Sequence, residues 1–523
     1  MPISASLKKN LYKDSVALMR IAQTILARAE VRRATLQMGT PANKAIMATA
    51  GLLTAELEGA APGDVMIVVD AQTADAVRDA FAEIDTLLEG RPTVTGDEPA
   101  AAVAVAVRSI AMGQGRAGDA ALAQISVPGP YAAAEAMKAL RRGLHVFLFS
   151  DNVPIEQERA IKTLARAKGL LVMGPDCGTA ILQGTPLGFA NVVRRGDISV
   201  VGASGTGLQE VTCQIHALGQ GIRHAIGTGS HDVSAEIGGS TLRQALDLLA
   251  ADAGTRVVAI VSKAPAPEVA RLVLEQAAAL GKPVVVLFLG AELASLRLPA
   301  HLVVVETLAD AAQAAVALAD GRRFEPAAPD GAAEAEAERV AEAERRRFAP
   351  GQRDVRGLYS GGTFASEAEL VWAGLGLPLS AHVAGAQRSS GNAAVDLGDD
   401  EFTVGKPHPM IDPSTRLERI AEEARDPATA VLVLDVVLGY GSHDDPAGAL
   451  APAIAAARAA CEREGRHLSV VSFVCGTEDD PQRLSAQQAT LRTAGAIVTA
   501  GSTEAARLAG RIGVGLRRGT TPS

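Results

Sequence analysis

The sequence predicts an α/β fold with doubly wound parallel sheets. Short runs of Val, Ile and Leu alternate with Ala-rich segments of helical length along nearly all of the 523 residues. Continuous apolar runs of about four to six residues suit strands that are buried on both faces. Strands separated by helices of this length form parallel βαβ units. At roughly 150 residues per domain, the length predicts three or four domains.

The composition excludes several classes of protein. Hydrophobic residues make up 48% of the chain and charged residues 21%, which is typical of a globular protein. Aromatic residues are only 3% and the net charge is -9, which argues against a stacking surface or a basic grip for nucleic acid. We therefore expect small-molecule substrates and no nucleic-acid partner.

The cysteines and the apolar runs bear on metals and location. Cys177, Cys213, Cys461 and Cys475 form neither a disulfide framework nor a C-x-x-C signature. We therefore expect no metal site and a cytoplasmic protein. No apolar run approaches the ~20 residues that span a bilayer, and no signal-peptide pattern is present, so we expect no membrane partner.

The predicted elements, taken in order, divide the chain into three parts. The first part, residues 1–185, contains a partly flexible insertion near residues 90–120, where Gly, Pro and charged residues are dense. The second part spans residues 195–320. A linker at 324–350 is Pro- and Ala-rich at its front and alternates Glu, Ala and Arg at its back. The third part spans residues 353–523.

Apolar runs place the strands of the first part, and helical patterns lie between them. Strands are predicted at residues 64–69, 123–127, 145–149 and 170–173, and helices at 73–88, 131–142 and 155–168.

A Gly-rich turn joins a strand to a helix at the start of the second part. The sequence GASGTG follows an apolar run and precedes a helical pattern. Backbone N–H groups converge in such a turn, and a helix N-terminus carries partial positive charge. Ser204, Gly205 and Thr206 therefore form a candidate phosphate-binding group, with a plain tight turn as the alternative. No Lys follows the last Gly, so the turn is not a P-loop.

A second turn of the same kind opens the third part. The sequence YSGGT joins a short strand to an acidic helical pattern, so Gly361, Gly362 and Thr363 form a second candidate phosphate-binding group. Two such helix N-termini in one chain suggest one shared ligand, a phosphate or a phosphorylated group. Because glycine lacks a Cβ, we expect Gly205, Gly361 and Gly362 to leave room for the anion.

Polar residues follow the predicted strand at 170–173 in the sequence GPDCG. Asp176 and Cys177 lie there at the carboxyl end of a parallel strand, the edge where open α/β sheets bind ligands. We assign both to a substrate loop. A nucleophilic role for Cys177 is the alternative, but no His lies near it in sequence.

The Pro-rich, charged segment DLGDDEFTVGKPHPMIDP is unusual for a bare connector. Asp396, Asp399 and Asp412 are assigned to the substrate loop, and Lys406 and His408 are predicted as catalytic residues. Either the two basic groups bind an anion or the carboxylates bind a divalent cation. A surface loop with its own ion pairs is the third reading.

Two further positions stand out after or inside predicted strands. His231 and Asp232 follow a strand in the sequence GTGSHD, so they are candidate catalytic residues, although a lone His is more often structural. Asp435 lies inside an apolar run and needs a partner if that strand is buried.

Longer motifs carry a resemblance to a known family. The segments SVPGPYAAAEAMKAL, GPDCGT and SVVGASGTGLQE resemble the alpha subunit of succinyl-CoA synthetase, and RGLYSGGTFASEAEL, NAAVDLGDD and AVLVLDVVLGYG resemble the C-terminal ligase domain of its beta subunit. With MGTPANKA, GKPHPMIDP and GTEDDPQ, the chain closely resembles the FdrA family. The resemblance implies a CoA-binding Rossmann-like domain at 1–185 and two flavodoxin-like ligase domains, of alpha type at 195–320 and of beta type at 353–523.

Two departures from the superfamily bear on the chemistry. Its acyl-CoA ligases carry a phosphorylated His in a Gly-His-Ala-Gly-Ala loop after the strand that corresponds to residues 283–289. Here the sequence is GAELASLRLPAH, whose only His is His301, and no ATP-grasp domain precedes Val355. An ATP-driven ligase would need both. The resemblance therefore implies that the two turns bind free phosphate rather than phosphohistidine.

The FdrA family is associated with oxamate carbamoyltransferase, which acts with companion proteins in anaerobic allantoin (purine) degradation. The resemblance implies a subunit that catalyses phosphorolysis of oxalurate to oxamate and carbamoyl phosphate, using inorganic phosphate and no certain cofactor. Companion subunits and an oligomer are implied, and CoA binding stays open. The alternatives are an ADP-forming acyl-CoA synthetase subunit, like succinate–CoA ligase, and a non-catalytic scaffold or CoA-binding regulator.

Overall fold

The computed structural model describes most of the chain. The described residues are 3–89 (apart from 12, 14, 27, 41, 42, 45, 46 and 49), 107–291, 299, 301–325, 331–380, 391–403 and 408–518. They form two compact units, one of Met1–Arg108 with Val404–Pro407 and one of Ser109–Thr403 with His408–Ser523. Among the described residues, no helix is long and apolar enough to cross a membrane.

The first unit is built on a three-stranded antiparallel sheet. Its elements are β1 (Ile3–Lys8), α1 (Ser15–Leu26), β2 (Val31–Met38), α2 (Ala55–Glu58), β3 (Val65–Ala71) and α3 (Ala74–Glu89). The strand order is β1-β3-β2, and β3 runs antiparallel to both neighbours. One apolar cluster packs α1 and α3 against one face, and a second cluster with Met47, Leu52 and Leu57 covers the other.

This unit corrects the single Rossmann-like domain predicted for residues 1–185. The apolar run at 64–69 does form a strand buried on both faces, as predicted, but its neighbours are antiparallel. Two apolar clusters cover the two faces of this antiparallel sheet, so its central strand is buried on both faces. An apolar run therefore indicates a buried strand but does not show that the sheet is parallel. Of the predicted insertion at 90–120, residues 90–106 lie outside the described residues.

The second unit begins with a short parallel sheet. Its elements are α4 (Ile110–Arg116), β4 (Leu122–Ile125), α5 (Gly129–Arg141), β5 (His145–Leu148), α6 (Ile155–Ala167) and β6 (Val172–Met173). The strands β4, β5 and β6 pair in parallel in that order. The predicted strands and helices between residues 123 and 173 therefore correspond to observed ones.

A seven-stranded sheet follows in the same unit. Its elements are β7 (Thr179–Leu182), β8 (Thr185–Gly188), β9 (Arg195–Gly202), α7 (Gly205–Ala217), β10 (Ile222–Gly227), α8 (Ser240–Ala251), β11 (Val257–Lys263), α9 (Pro267–Ala278), β12 (Val284–Leu289), β13 (Leu302–Val304) and α10 (Leu308–Ala319). The strand order is β13-β12-β11-β9-β10-β7-β8. The five strands from β13 to β10 are parallel, and β7 and β8 form an antiparallel hairpin at one edge.

A five-stranded parallel sheet completes the unit. After α11 (Gly331–Arg345), which occupies most of the predicted linker, come β14 (Asp354–Tyr359), α12 (Gly362–Gly374), β15 (Ala393–Asp396), α13 (Asp400–Thr403), α14 (Ser414–Ala424), β16 (Thr429–Val437), α15 (Pro446–Arg463), β17 (Ser469–Cys475), α16 (Leu484–Thr493), β18 (Ile497–Val498) and α17 (Ser502–Arg518). The order is β15-β14-β16-β17-β18, all parallel. The predicted α/β fold with parallel sheets is therefore confirmed for the second unit.

Candidate functional site

The two Gly-rich turns each connect the carboxyl end of a parallel strand to a helix. Ser204 is the residue before α7, and Gly361 is the residue before α12. Neither residue caps its helix with a side-chain hydrogen bond. The first N–H groups of an α-helix have no acceptor within the helix, so both turns present free backbone donors together with the positive end of a helix dipole.

The structure brings the two turns into direct contact. The hydroxyl oxygens of Ser204 and Thr363 lie 2.7 Å apart and are hydrogen-bonded, and both residues are buried. The two turns also meet at Gly361 and Thr206, because a Cβ added to Gly361 would collide with the side chain of Thr206. The contact is reciprocal, because the residue before each helix meets the threonine at the second position of the other helix.

The space around the glycines differs from the expectation that all three leave room for an anion. A Cβ added to Gly205 would meet no atom nearer than Thr179 Oγ1 at 3.8 Å, so this position is open. The space at Gly361 is filled by Thr206, and that at Gly362 by Asp396 Oδ2. These two glycines allow close packing of the protein itself, and only Gly205 leaves free space.

Asp396 lies at the edge of this contact, at the carboxyl end of β15. Its Oδ1 accepts a 2.9 Å hydrogen bond from the backbone N–H of Gly398. Burial raises the pKa of Asp396 to about 6, although the nearby charge of Lys263 opposes the shift. The position that a Cβ of Gly362 would occupy lies 3.2 Å from Lys263 Nζ and still closer to Asp396 Oδ2. A carboxyl group and an ammonium group therefore flank the first residue of α12.

Lys263 is a site residue that the sequence analysis missed. It is the last residue of β11 and is exposed. Among the described residues, none forms a hydrogen bond with it or an ion pair within 4.0 Å. The signal in the sequence was a basic residue directly after the buried run VVAIVS, since the carboxyl ends of parallel strands meet at one edge of a sheet. The positive charge beside the two turns therefore comes from the ammonium group of Lys263 as well as from the backbone.

His408, predicted as catalytic, lies close to Asp396. A Cβ added to Gly398 would lie 2.7 Å from His408 Nε2 and 3.2 Å from Asp396 Oδ1. The backbone N–H of Met410 donates to His408 Nδ1 at 3.2 Å, so a neutral ring carries its proton on Nε2. Burial, with a smaller contribution from the charge of Arg416, lowers the pKa of His408 to about 4. His408 therefore offers a neutral N–H donor rather than a cation at neutral pH.

A buried ion pair holds the second turn in place. Asp435, inside β16, accepts hydrogen bonds from the backbone N–H of Ser360 and from its hydroxyl. Arg416 Nη2 donates to Asp435 Oδ1 at 2.8 Å and to the carbonyl oxygen of Leu358 at 3.0 Å. The partner that Asp435 needed is thus Arg416 with Ser360, and the network fixes the residues just before Gly361.

Asp232, a predicted catalytic residue, has both oxygens engaged in a buried network. Its Oδ1 accepts from Lys162 Nζ at 2.7 Å and from the N–H of Thr241 at 2.9 Å, and its Oδ2 accepts from the N–H of Leu242 at 2.8 Å. Lys162 also pairs with Glu158, whose second oxygen lies 3.3 Å from Nδ1 of the exposed His231. Asp232 thus caps α8, and these contacts do not include the two paired turns.

Cys177 is buried, and burial raises the pKa of its thiol to about 12. Burial and a raised pKa both keep a thiol protonated near neutral pH, which argues against the nucleophilic alternative. Its neighbour Asp176 is exposed and has a φ of 53°.

The remaining residues of the Pro-rich segment have separate positions. Asp399 Oδ1 accepts from the N–H of Glu401 at the start of α13, and Asp412 Oδ1 accepts from the N–H and the hydroxyl of Ser414 at the start of α14. The exposed Asp399 therefore caps α13, whereas the partly buried Asp412 forms a local turn just before α14. Lys406 lies outside the described residues.

A pair of buried glutamates lies further along the two paired helices. Glu210 on α7 accepts from Gln214 Nε2 and from the N–H of Ser502, and Glu367 on α12 accepts from the hydroxyl of Thr503. Burial raises the pKa of Glu210 to about 7 and that of Glu367 above its ordinary value. Both residues stand six positions after the residue that precedes their helix, so the two helices correspond position by position.

Comparison with known protein families gives matches in three parts of the chain. Residues 358–512 match a family model described as CoA-ligase, residues 193–290 one described as CoA binding domain, and residues 1–103 one described as AllF, heavy metal-associated domain. The CoA-binding type therefore falls on the second predicted domain rather than on residues 1–185. Residues 1–103 contain neither Cys nor His, so they offer no thiolate and no imidazole as metal ligands.

The chain is also similar to curated proteins. It is 40% identical to "Uncharacterized protein YahF" of Escherichia coli strain K12 over 97% of this chain and 98% of that protein. It is 27% identical to "Succinate--CoA ligase [ADP-forming] subunit alpha 2" of Archaeoglobus fulgidus over 28% of this chain. It is 28% identical to "Malate--CoA ligase subunit alpha" of Methylorubrum extorquens over 27% of this chain. The chain spans about half the length of these two ligase subunits, 52% and 49%.

Proposed function

The chain belongs to the FdrA family of the succinyl-CoA synthetase-like superfamily, and from this premise we propose that it is a subunit of oxamate carbamoyltransferase. In this reaction inorganic phosphate attacks the carbamoyl carbon of oxalurate, and the products are oxamate and carbamoyl phosphate. The match of residues 1–103 to a model named after AllF supports a role in allantoin degradation. The proposed protein is cytoplasmic and acts in an oligomer with companion subunits.

The observation that carries the proposal is the pairing of two helix N-termini through Ser204 and Thr363. Free N–H groups, the open position at Gly205 and the ammonium of Lys263 together favour a multiply charged anion. Hydroxyl and N–H donors of this kind also stabilise the oxyanion of a tetrahedral intermediate. The proposed catalysis therefore rests on positioning and electrostatics, without a covalent intermediate on the protein.

The position of His301 supports free phosphate over a phosphohistidine. His301 directly precedes β13, and its backbone carbonyl accepts from the N–H of Val284, the first residue of β12. Since β11, β12 and β13 are parallel, His301 lies at the amino edge of the sheet, whereas Lys263 lies at the carboxyl edge. Its Nε2 is 2.9 Å from the carbonyl oxygen of Ala278.

The test is an assay of carbamoyl phosphate formation from oxalurate and phosphate, with and without the companion subunits. We expect formation that depends on phosphate and requires no ATP and no CoA. Absence of product in the fully assembled complex would overturn the proposal.

A second candidate is an ADP-forming acyl-CoA synthetase subunit, supported by the matches to CoA-ligase and CoA binding models. This candidate needs an ATP-grasp domain from another chain. Incubation of the assembled complex with γ-labelled ATP distinguishes the two, because only the ligase would form a labelled phosphohistidine. A scaffold or CoA-binding regulator would give neither carbamoyl phosphate nor the label.

A further inference from the structure

Two groups of opposite charge flank the paired turns without neutralising each other. Lys263 is the last residue of β11 in the seven-stranded sheet, and Asp396 is the last residue of β15 in the five-stranded sheet. Both lie beside the position that a Cβ of Gly362 would occupy. No ion pair within 4.0 Å joins them, although both residues are described. The ammonium and the carboxyl group therefore face one small volume from two different domains.

The two groups also differ in exposure and in their contacts. Lys263 is exposed at the end of its strand, whereas Asp396 is half-buried and is fixed by the N–H of Gly398. A long, unpaired lysine can reach toward an entering anion, and a fixed carboxyl group holds a proton at a defined place. Resting on the proposed function, we propose that Lys263 binds the phosphate dianion and that Asp396 gives the proton to the departing oxamate nitrogen.

The proposed step balances in atoms and charge. An oxygen of HPO₄²⁻ forms a bond to the carbamoyl carbon of oxalurate, and the bond from that carbon to the oxamate nitrogen breaks. The carboxyl group of Asp396 gives its proton to this nitrogen as the bond breaks. The proton of the attacking phosphate then returns to the Asp396 carboxylate. No oxidant, metal or nucleotide is required.

The surroundings of Asp396 make the protonated form available. Burial raises its pKa to about 6, Lys263 opposes this shift, and the charges of Asp399 and Asp435 add to it. His408, a further titratable group near Asp396, stays neutral at neutral pH because burial, with a smaller contribution from the charge of Arg416, lowers its pKa to about 4. A neutral His408 adds no positive charge that would ionise Asp396.

The test combines phosphate binding with turnover in three variants. Phosphate binding is measured on the full chain as the rise in melting temperature with added inorganic phosphate. Turnover is carbamoyl phosphate formation in the assembled complex. The variants are Lys263→Met, Asp396→Asn and the control Lys168→Met, which removes an exposed lysine after α6.

We expect Lys263→Met to abolish the phosphate-dependent shift and Lys168→Met to retain it. Asp396→Asn should bind phosphate as well as the parent protein or more tightly, since a negative charge beside the anion is removed. Its turnover should fall by about 100-fold or more, the usual contribution of a positioned general acid. In the parent protein, kcat should decline as the pH rises above about 6, and Asp396→Glu should recover part of the activity.

The outcomes separate this inference from the proposed function. If the complex forms no carbamoyl phosphate while Lys263→Met loses phosphate binding, the proposed reaction is wrong and the anion site stands. If phosphate binding is missing in the parent protein or unchanged in Lys263→Met, the assignment of Lys263 is wrong. If Asp396→Asn turns over normally, or loses binding and turnover together, Asp396 does not transfer the proton.

Discussion

The hydroxyl groups of Ser204 and Thr363 lie 2.7 Å apart although 159 residues separate them in the chain. Ser204 follows a strand of the seven-stranded sheet and Thr363 follows a strand of the five-stranded sheet, so this hydrogen bond joins two domains at the centre of the candidate site. Both side chains are buried, and a hydroxyl left alone there would lack a partner. Substitutions of Ser204 and Thr363 therefore measure how much this contact between the two domains contributes to stability.

The first prediction concerns this hydrogen bond. Ser204→Ala and Thr363→Ala should each lower the free energy of unfolding by about 1–2 kcal/mol, because each leaves one buried hydroxyl or its space unsatisfied. The double variant should cost less than the sum of the two, by roughly 0.5–1.5 kcal/mol of coupling. Urea unfolding of the four proteins measures both quantities. Strictly additive losses would show that the bond contributes nothing to stability.

The glycines of the two turns should respond differently to the same substitution. Gly361→Ala should destabilise the protein by about 1–3 kcal/mol, because its Cβ would collide with Thr206. Gly205→Ala should leave the melting temperature nearly unchanged and weaken only phosphate binding, since its Cβ enters open space. Gly374→Ala, at the end of α12 with no atom within 4 Å of the added Cβ, is the matched control. Equal melting temperatures for Gly361→Ala and the control would contradict the observed packing.

The ion pair of Arg416 and Asp435 should be costly to break. Asp435→Asn leaves the Arg416 guanidinium buried without its counter-charge, which should reduce stability by about 3–5 kcal/mol. The exposed pair of Arg256 and Asp197 offers the comparison, and Asp197→Asn should cost about 1 kcal/mol or less. Thermal unfolding of both variants measures the difference. Similar losses of stability in Asp435→Asn and Asp197→Asn would mean that the buried ion pair is not needed to hold Ser360.

Glu210 should make stability depend on pH. Burial raises its pKa from 4.5 to about 7 in the folded protein. A carboxyl group with a raised pKa contributes stability that is fully present below pH 4.5 and is lost as the pH rises through 7. The melting temperature should therefore fall between pH 5 and pH 8, by the equivalent of on the order of 1–3 kcal/mol.

The variant Glu210→Gln tests this directly, because it keeps the hydrogen bonds to Ser502 and Gln214 without a titrating proton. Its melting temperature should vary less over the same pH range, with Glu367 providing the slope that remains. Glu275→Gln, in an exposed pair with Arg271, should leave the slope as it is in the parent protein. An identical slope in Glu210→Gln would assign the pH dependence to other groups.

Patterning predicted the parallel α/β part of the fold because each apolar run there is short and is followed by a helix. The same pattern was wrong for residues 1–108, since β3 looks like a parallel strand in sequence but is an antiparallel strand covered on both faces. Strand direction depends on partners distant in the chain, and a single apolar run does not encode it. The match of residues 1–103 to a separate family model agrees with the observed division.

The sequence placed some candidate residues better than others. The two turns could be found because Gly, Ser and Thr after a strand have a local physical meaning. Lys263 had only the weaker signal of a basic residue after a buried strand, and its position beside Asp396 follows from the arrangement of two different sheets. Asp232, conversely, follows a strand as a catalytic residue would, but both of its oxygens are hydrogen-bonded to Lys162 and to the N-terminus of α8.

The two sheets that carry Ser204 and Thr363 belong to one polypeptide, with α11 lying between them in sequence. Their association is therefore intramolecular, and its extent does not fall when the protein is diluted. An enzyme that assembled the same contact from two separate chains would lose it below its dissociation constant and would need both chains in equal amounts. Here the contact between the two turns forms within a single chain, so its extent is the same at any concentration of the protein.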